Sequence, residues 1–131
     1  MVVGDAHRPP YFQEIVCGRH ALVSDQSTER GGLDAGPDPF AYLLSGLGAC
    51  TSISLRMYAE RKRWSIGTVM VTLELFGTPG AWEIRRGVQL LGELSEFRRQ
   101  RLAELCERTP ITLVLKEGLS VKTTFAVSPP V

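Results

Sequence analysis

The feature that most constrains the fold is an uncharged stretch, residues 39–55, that lies between Asp38 and Arg56. Aspartate followed by proline is a typical helix start, with the aspartate as N-cap and the proline at the first helical position. We therefore predict a helix over residues 39–63. Such an apolar helix needs cover on several sides, and a chain of 131 residues has little material for it. The stretch therefore predicts that a second copy of the chain helps to bury the helix.

Two glycines inside this helix, Gly46 and Gly48, support the same idea. A glycine within a helix costs about 1 kcal/mol relative to alanine. Two of them within three residues predict a neighbouring backbone at very short distance. The same helix of a second copy is the expected neighbour.

The rest of the chain predicts an α+β fold with a mainly antiparallel sheet, a long buried central helix and a second, shorter helix. Residues 11–17 and His20–Ser24 are predicted strands joined at Gly18 and Arg19, followed by a polar loop over residues 25–38. Residues 67–76 and 81–91 alternate between apolar and polar side chains and predict a hairpin. The second helix is predicted from residue 96 to about residue 108, with Pro110 as its stop, and residues 119–125 alternate as a last strand. We predict one domain over residues 1–131.

Composition excludes several classes of partner. The net charge of +1 favours neither nucleic acid nor an anionic membrane as a partner. The first residues resemble no secretory signal, and the three cysteines form no disulfide framework, so we expect a cytoplasmic protein. Two histidines are too few for a metal site with cysteine. No glycine-rich phosphate loop precedes a helix, and we expect neither metal nor cofactor.

Cys50 is the candidate nucleophile within the long helix. Leu43, Leu47, Ser54 and Met57 recur on its face at spacings of three and four residues. A cysteine reacts as its thiolate, so a reactive thiol here needs a cation from another part of the chain, and arginine suits this role because it keeps its charge. The residues alone equally permit a small packing cysteine, and both interpretations stay open.

Two segments resemble the OsmC/Ohr family. The first is GGLDAGPDPFAYLLSGLGACTSISLRMYAERKRW at residues 31–64, and the second is the pattern R-R-x-V-x-L-x-G-x-L-S that begins at Arg85. The resemblance implies an intertwined homodimer in which two central helices pack back to back. It also implies a thiol peroxidase in which Cys50 attacks an organic or lipid hydroperoxide, forms a sulfenic acid and is then reduced.

Further site residues follow from the resemblance. It implies an activating arginine, matched by Arg30 or else Arg19, and a resolving thiol, which is either Cys106 or an external thiol reductant. Thr109 stands where the family's resolving cysteine directly precedes the proline. Phe40 and Ala41 stand where a glutamate is expected. The alternative function is a non-catalytic dimer that binds an apolar small molecule, and the third possibility is a purely structural Cys50.

Overall fold

The chain forms two antiparallel sheets and three α-helices in the computed structural model, which describes residues 1–5 and 10–128. The α+β class with antiparallel sheets is confirmed. In chain order the elements are β1 (Val2–Gly4), β2 (Gln13–Cys17), β3 (His20–Ser24), α1 (Pro39–Lys62), β4 (Val69–Phe76), β5 (Glu83–Leu90), α2 (Glu96–Cys106) and α3 (Pro110–Glu117).

The N-terminal sheet is an antiparallel meander in the order β1-β2-β3. Its tight turn at Gly18 confirms the predicted hairpin, since this glycine adopts a left-handed φ of 59°. The first strand, β1, was not predicted, because three residues are too few for a periodic signal. None of these strands packs extensively against a helix or against the second sheet. The sheet is joined to the rest of the described chain by hydrogen bonds at β3: the Tyr42 hydroxyl of α1 donates to the Val23 carbonyl, and the Ser24 hydroxyl donates to the Pro37 carbonyl.

The second sheet is the hairpin β4–β5, in which alternation sets the buried face as predicted. Side chains at alternate positions of β4 are half-buried, and those between them are exposed. Val69 pairs with Leu90 at one end of the ladder, and Phe76 pairs with Glu83 at the other. The inner face supports α1, which packs mainly on β4.

The core lies between α1, the hairpin and α2. Its buried members are Leu55 and Ala59 from α1, Ile66 from the connection to β4, and Leu102 and Cys106 from α2. The predicted buried stripe of α2 is confirmed at Leu102 and Cys106. One face of α1 is therefore covered within a single chain.

Gly48 has a different neighbour from the one we predicted. A Cβ atom at this position would lie 2.7 Å from Cδ1 of Leu73, so the close approach is to β4 of the same chain. A Cβ atom at Gly46, by contrast, meets no atom within 4 Å. The prediction of a second helix therefore has no support at Gly48, and it stays a prediction at Gly46.

The C-terminal part departs from the predicted elements in two places. Helix α2 ends at Cys106, before the predicted end near residue 108, and Pro110 is not its stop but lies in the first turn of α3, with Thr109 at the N-cap position. Residues 119–125, predicted as a strand, form neither strand nor helix. That prediction is wrong for the described chain. Alternation indicates which face of a strand would be buried, but it does not provide the neighbouring strand that the backbone hydrogen bonds need, and no described strand pairs with these residues.

Candidate functional site

Helix α1 positions Cys50, and its start is held by the predicted cap. The Asp38 carboxylate accepts a hydrogen bond of 2.7 Å from the Ala41 backbone N–H, and Pro39 follows at the first helical position. The other end closes at Arg63, which adopts a left-handed φ of 56°. Cys50 consequently lies in the middle of a regular helix.

Cys50 lies at the edge of the exposed face of α1, next to its buried face. The buried face repeats every four residues at Leu47, Thr51, Leu55 and Ala59. Cys50 itself is half-buried. Other apolar side chains of the helix are exposed in the single chain, and they include Ile53 at 58% and Met57 at 57%. We name Leu43, Gly46, Cys50, Ile53 and Met57 the open face of α1.

An apolar pocket of about 540 Å³ lies beside the first turns of α1, where Phe40, Leu43 and Leu47 line it, and Cys50 itself is not among its lining residues. This volume lies within the usual range of small-molecule sites. Seven residues of helix bring Leu43, which lines the pocket, and Cys50 to nearly the same angle about the axis. The apolar wall of the pocket consists of Phe40, Leu43, Leu47, Leu75, Trp82, Ile84 and Leu115.

Two aromatic side chains stand at one side of this pocket. The ring centroids of Phe40 and Trp82 are 5.9 Å apart in a tilted arrangement. Phe40 comes from the first turn of α1, and Trp82 directly precedes β5. Of the apolar residues predicted on the same helix face as Cys50, Leu43 and Leu47 line this pocket, whereas Met57 does not.

Arg86 is the central polar side chain of the site, and its side chain is only 12% exposed. Nη1 donates to Oγ1 of Thr51 at 3.0 Å and to Oγ1 of Thr112 at 2.8 Å. Nη2 donates to the backbone carbonyl of Cys106 at 2.8 Å. A guanidinium presents its donors in a fixed planar fork, so Arg86 joins the residue after Cys50 to the ends of α2 and α3.

Thr109, at the position of the resolving cysteine in the resemblance, belongs to the same polar network. It is 1% exposed, and its hydroxyl lies 2.6 Å from that of Thr112. Thr112 in turn donates to the Cys106 carbonyl at 3.2 Å. The two hydroxyls and the guanidinium thus provide hydrogen-bond partners for one another where water has little access.

Cys106 occupies a different environment from Cys50. It packs in the core beside Leu55 and Ala59. Burial raises the pKa of the Cys106 thiol, while the nearby Arg86 charge acts in the opposite direction. Leu55 follows Cys50 by five residues, which is about 140° around the helix axis and about 7.5 Å along it. The single chain therefore directs the two cysteines to different sides of α1.

The two predicted activating arginines lie in the N-terminal part of the chain. Arg19 is exposed in the turn between β2 and β3, and Arg30 is exposed at the end of a short 3₁₀ helix, Thr28–Arg30. Within residues 1–5 and 10–128, neither side chain has a hydrogen bond or an ion pair. Their part in activating Cys50 stays a prediction.

The loop that carries Arg30 is organised by the buried carboxylate of Asp25. This carboxylate accepts hydrogen bonds from the backbone N–H groups of Gln26, Leu33 and Ala35. Burial acts to raise the pKa of Asp25, but these three donors outweigh it and leave the pKa below its usual value. The predicted polar loop is therefore an ordered structure built on one side chain.

Two more charges complete the pocket beside Arg86. Oε2 of Glu107 lies 2.5 Å from Nζ of Lys116, and Oε1 lies 3.7 Å from Nη2 of Arg86. The hydrogen bond from Lys116, together with the charges of Lys116 and Arg86, holds the pKa of Glu107 below its usual value. The pocket is thus apolar along most of its wall and charged at one end.

Arg86 was missed by sequence reasoning although a signal for it was present. Within the alternating residues 81–91, Arg86 occupies the same register as the apolar Trp82, Ile84, Val88 and Leu90. A cation in an otherwise apolar series points to a buried polar network. The neighbouring Arg85 lies on the outer face, where it pairs with Glu83.

Residues 31–124 match the family model for OsmC-like protein. No curated protein sequence matches the chain. Solved structures have the same fold at low sequence identity. An OsmC-like protein from Mycoplasma pneumoniae has a TM-score of 0.70 at 18% identity, covering 88% of this chain and 86% of that one. An organic hydroperoxide resistance protein OsmC from Legionella pneumophila has a TM-score of 0.54 at 17% identity, covering 85% and 91%.

A third similar structure comes from Psychrobacter arcticus and is provisionally assigned to osmotic stress and detoxification responses. It has a TM-score of 0.73 at 9% identity and covers 86% of each chain. In the described part of the chain, no helix combines the length and the apolar character needed to cross a membrane.

Proposed function

We propose, since this chain belongs to the OsmC-like protein family, that it is a thiol-dependent peroxidase that reduces organic hydroperoxides through Cys50. The observation that supports the proposal is that Cys50 lies nearly in line with Leu43, which lines the apolar pocket, about two turns further along α1. A hydroperoxide with an apolar body fits this wall better than hydrogen peroxide does. The organic hydroperoxide resistance protein from Legionella pneumophila has the same fold.

The reaction proceeds in two steps. The Cys50 thiol releases a proton, and its thiolate attacks the terminal oxygen of the hydroperoxide. The O–O bond breaks, the sulfur keeps the OH group as a sulfenic acid, and the alkoxide takes up one proton and leaves as an alcohol. An external dithiol then reduces the sulfenic acid to the thiol and releases water, through a mixed disulfide with Cys50. We favour the external thiol over Cys106, because Cys106 faces the core on another side of α1.

The active form is proposed to be a homodimer. The open face of α1 combines exposed Ile53 and Met57 with Gly46, which has free space beside it. Burial of such an apolar surface stabilises a protein. In a two-fold symmetric dimer the same surface of each subunit meets, so the open face of one copy would pack against the open face of the other. An arginine from the N-terminal part, Arg30 or Arg19, is proposed to reach Cys50 from the same or the second copy.

Peroxide consumption tests the proposal. Purified protein should reduce cumene hydroperoxide with dithiothreitol as reductant, and Cys50→Ser should lower the rate to that of the reductant alone. Cys17→Ser is the matched control, because Cys17 lies in β2 of the N-terminal sheet, and it should leave the rate unchanged. A Cys50→Ser protein as active as the unmodified one would contradict the proposal, and so would no consumption with any dithiol.

A second candidate function is binding of an apolar small molecule without chemistry. It is favoured by Phe40, which contributes an aromatic ring to the pocket at a position where the resemblance implies a glutamate. Native mass spectrometry of freshly purified protein should then show a bound apolar compound in both the unmodified protein and Cys50→Ser. Iodoacetamide labelling separates both functions from a purely structural Cys50, which would react only after unfolding.

A further inference from the structure

The charged end of the pocket has an arrangement that the proposed function does not use. Arg86, Glu107 and Lys116 line this end together. Two cations face one carboxylate, so the group has a net charge of +1. An apolar wall that ends in a net positive group is complementary to an amphiphile with an anionic head.

We propose that Arg86 and Lys116 form a receptor for the carboxylate head of an amphiphilic ligand, and that Glu107 occupies this receptor while the pocket is empty. The apolar body of the ligand would lie along the wall formed by Phe40 and its neighbours. The inference deepens the proposed function, because it names the head group that the substrate pocket selects.

The position of Glu107 supports the first half of the proposal. Its two oxygens approach two different cations, Oε2 at 2.5 Å from Lys116 and Oε1 at 3.7 Å from Arg86. An incoming carboxylate would find the same two partners. At the longer distance Glu107 forms no hydrogen bond with Nη2 of Arg86, because such a bond needs a separation near 2.9 Å, so a ligand carboxylate that comes closer would gain one.

Arg86 would keep its place when Glu107 leaves. Three hydrogen bonds, to Thr51, Thr112 and the Cys106 carbonyl, hold its guanidinium, and Glu107 takes part in none of them. The cation is therefore preorganised for an anion, which reduces the entropy lost on binding.

Glu107 is free to move away. Its side chain is 62% exposed, and it lies at the C-terminal cap of α2, where water can solvate a released carboxylate. Exposed ion pairs such as the one with Lys116 are weak. Displacement by a ligand whose apolar body is buried at the same time is consequently favourable, and Glu107 acts as an internal competitor.

Calorimetric titration tests this idea with the Cys50→Ser protein, so that no chemistry interferes. Three ligands that share a chain but differ in head group are compared below their micelle concentrations: dodecanoate, dodecanol and dodecyltrimethylammonium. Dodecanoate should bind about tenfold more tightly than dodecanol, because two cations replace water around its carboxylate, and the ammonium compound should bind most weakly.

Variants of the receptor distinguish it from a merely apolar site. Glu107→Gln should tighten dodecanoate binding about threefold, since the internal competitor loses its charge, and should leave dodecanol unchanged. Lys116→Gln should weaken dodecanoate binding by a similar factor. The matched control is Glu104→Gln, a change in the exposed pair of Glu104 with Arg101 on α2, which should alter neither ligand.

Several results would overturn the receptor. These are equal affinities for dodecanoate and dodecanol, no binding of any of the three ligands, or a Glu107→Gln protein that binds dodecanoate no better than its parent. Failure of the proposed function is distinguishable, because it appears as absent peroxide consumption in the unmodified protein. In that case, selective dodecanoate binding by Cys50→Ser would leave the receptor standing.

Discussion

At the scale of the residue, the adjacent arginines of β5 show how the position of a charged side chain determines its contribution to the stability of the fold. Arg86 is mostly buried, with 12% of its side chain exposed, and donates to three acceptors from α1, α2 and α3. Arg85 pairs with exposed Glu83 and lies over the Phe76 ring at 4.1 Å. Buried hydrogen bonds to a charged group are stronger than exposed pairs, and their unpaired acceptors are costly.

Replacement of these two arginines by methionine should therefore give different losses of stability. Arg86→Met should lower the free energy of unfolding by about 2–4 kcal/mol, because Thr51, Thr112 and the Cys106 carbonyl lose their donor. Arg85→Met should cost less than about 1 kcal/mol. Urea denaturation followed by circular dichroism measures both, and equal losses would contradict the structural role of Arg86.

At the scale of the element, the loop between β3 and α1 depends on the ionised Asp25 carboxylate. The lowered pKa of Asp25 means that its contribution is present above the unfolded pKa and is lost as pH falls through the folded value. Asp25→Asn should lower the melting temperature at neutral pH. The difference from the unmodified protein should begin to shrink below about pH 4, where the unfolded carboxyl takes up a proton, and should disappear once the pH falls through the lower pKa of the native carboxyl.

Trypsin gives a local readout of the same loop, because Arg30 is an exposed cleavage site within it. Asp25→Asn should speed cleavage after Arg30, since three backbone N–H groups lose an ionic acceptor. Asp34→Asn is the matched control. It removes the same charge, and asparagine readily adopts the left-handed φ of 52° found at this position. Equal cleavage of both variants would show that the carboxylate of Asp25 is not required.

The open face of α1 gives a second prediction at this scale. Gly46→Lys should convert the proposed homodimer into a monomer in sedimentation velocity, because a long charged side chain would enter the helix–helix contact. Within one chain the site is open, and lysine favours a helix more than glycine does, so the monomer should stay folded. Ser45→Lys, at an exposed position about 100° around the helix, should remain dimeric.

The elements differ in how far their sequence determined them. Asp38 and Pro39 predicted the start of α1, and alternation predicted both strands of the hairpin, because these signals are local. Thr109 and Pro110 carry a similar start signal for α3, yet Pro110 was interpreted only as the end of α2. The strand over residues 119–125 was wrong, because pairing requires a partner that local sequence does not specify.

The site was predictable to a smaller extent. Cys50 followed from its motif and its setting in an uncharged helix, and part of the pocket wall followed from the helix face. Arg86, Thr112 and Glu107 come from three separate elements, and only the tertiary fold brings them together. A single sequence does not show which residues of separate elements lie close together in the folded protein.

At the scale of the whole molecule, apolar surface is left open in one copy of the chain. Apolar side chains are exposed in three regions: the open face of α1, residues 119–127, and the N-terminal sheet, which packs little against the helices. Leu119, Val121 and Phe125 are among them. If a second copy covers them, unfolding is coupled to dissociation, and the melting temperature should rise with protein concentration. Differential scanning calorimetry over a hundredfold range of concentration measures this, and a constant melting temperature would contradict the homodimer.

The position of Arg86 between Ile84 and Val88 also has a consequence for folding fidelity. A slip of β5 by one residue against β4 would turn Glu83 and Arg85 inward and expose Ile84 and Arg86. Two ordinary surface charges would then lie against α1, and the acceptors at Thr51 and Thr112 would face no donor. A shifted register would therefore lose both apolar burial and hydrogen bonds, so the sequence of β5 itself disfavours incorrect pairing with β4.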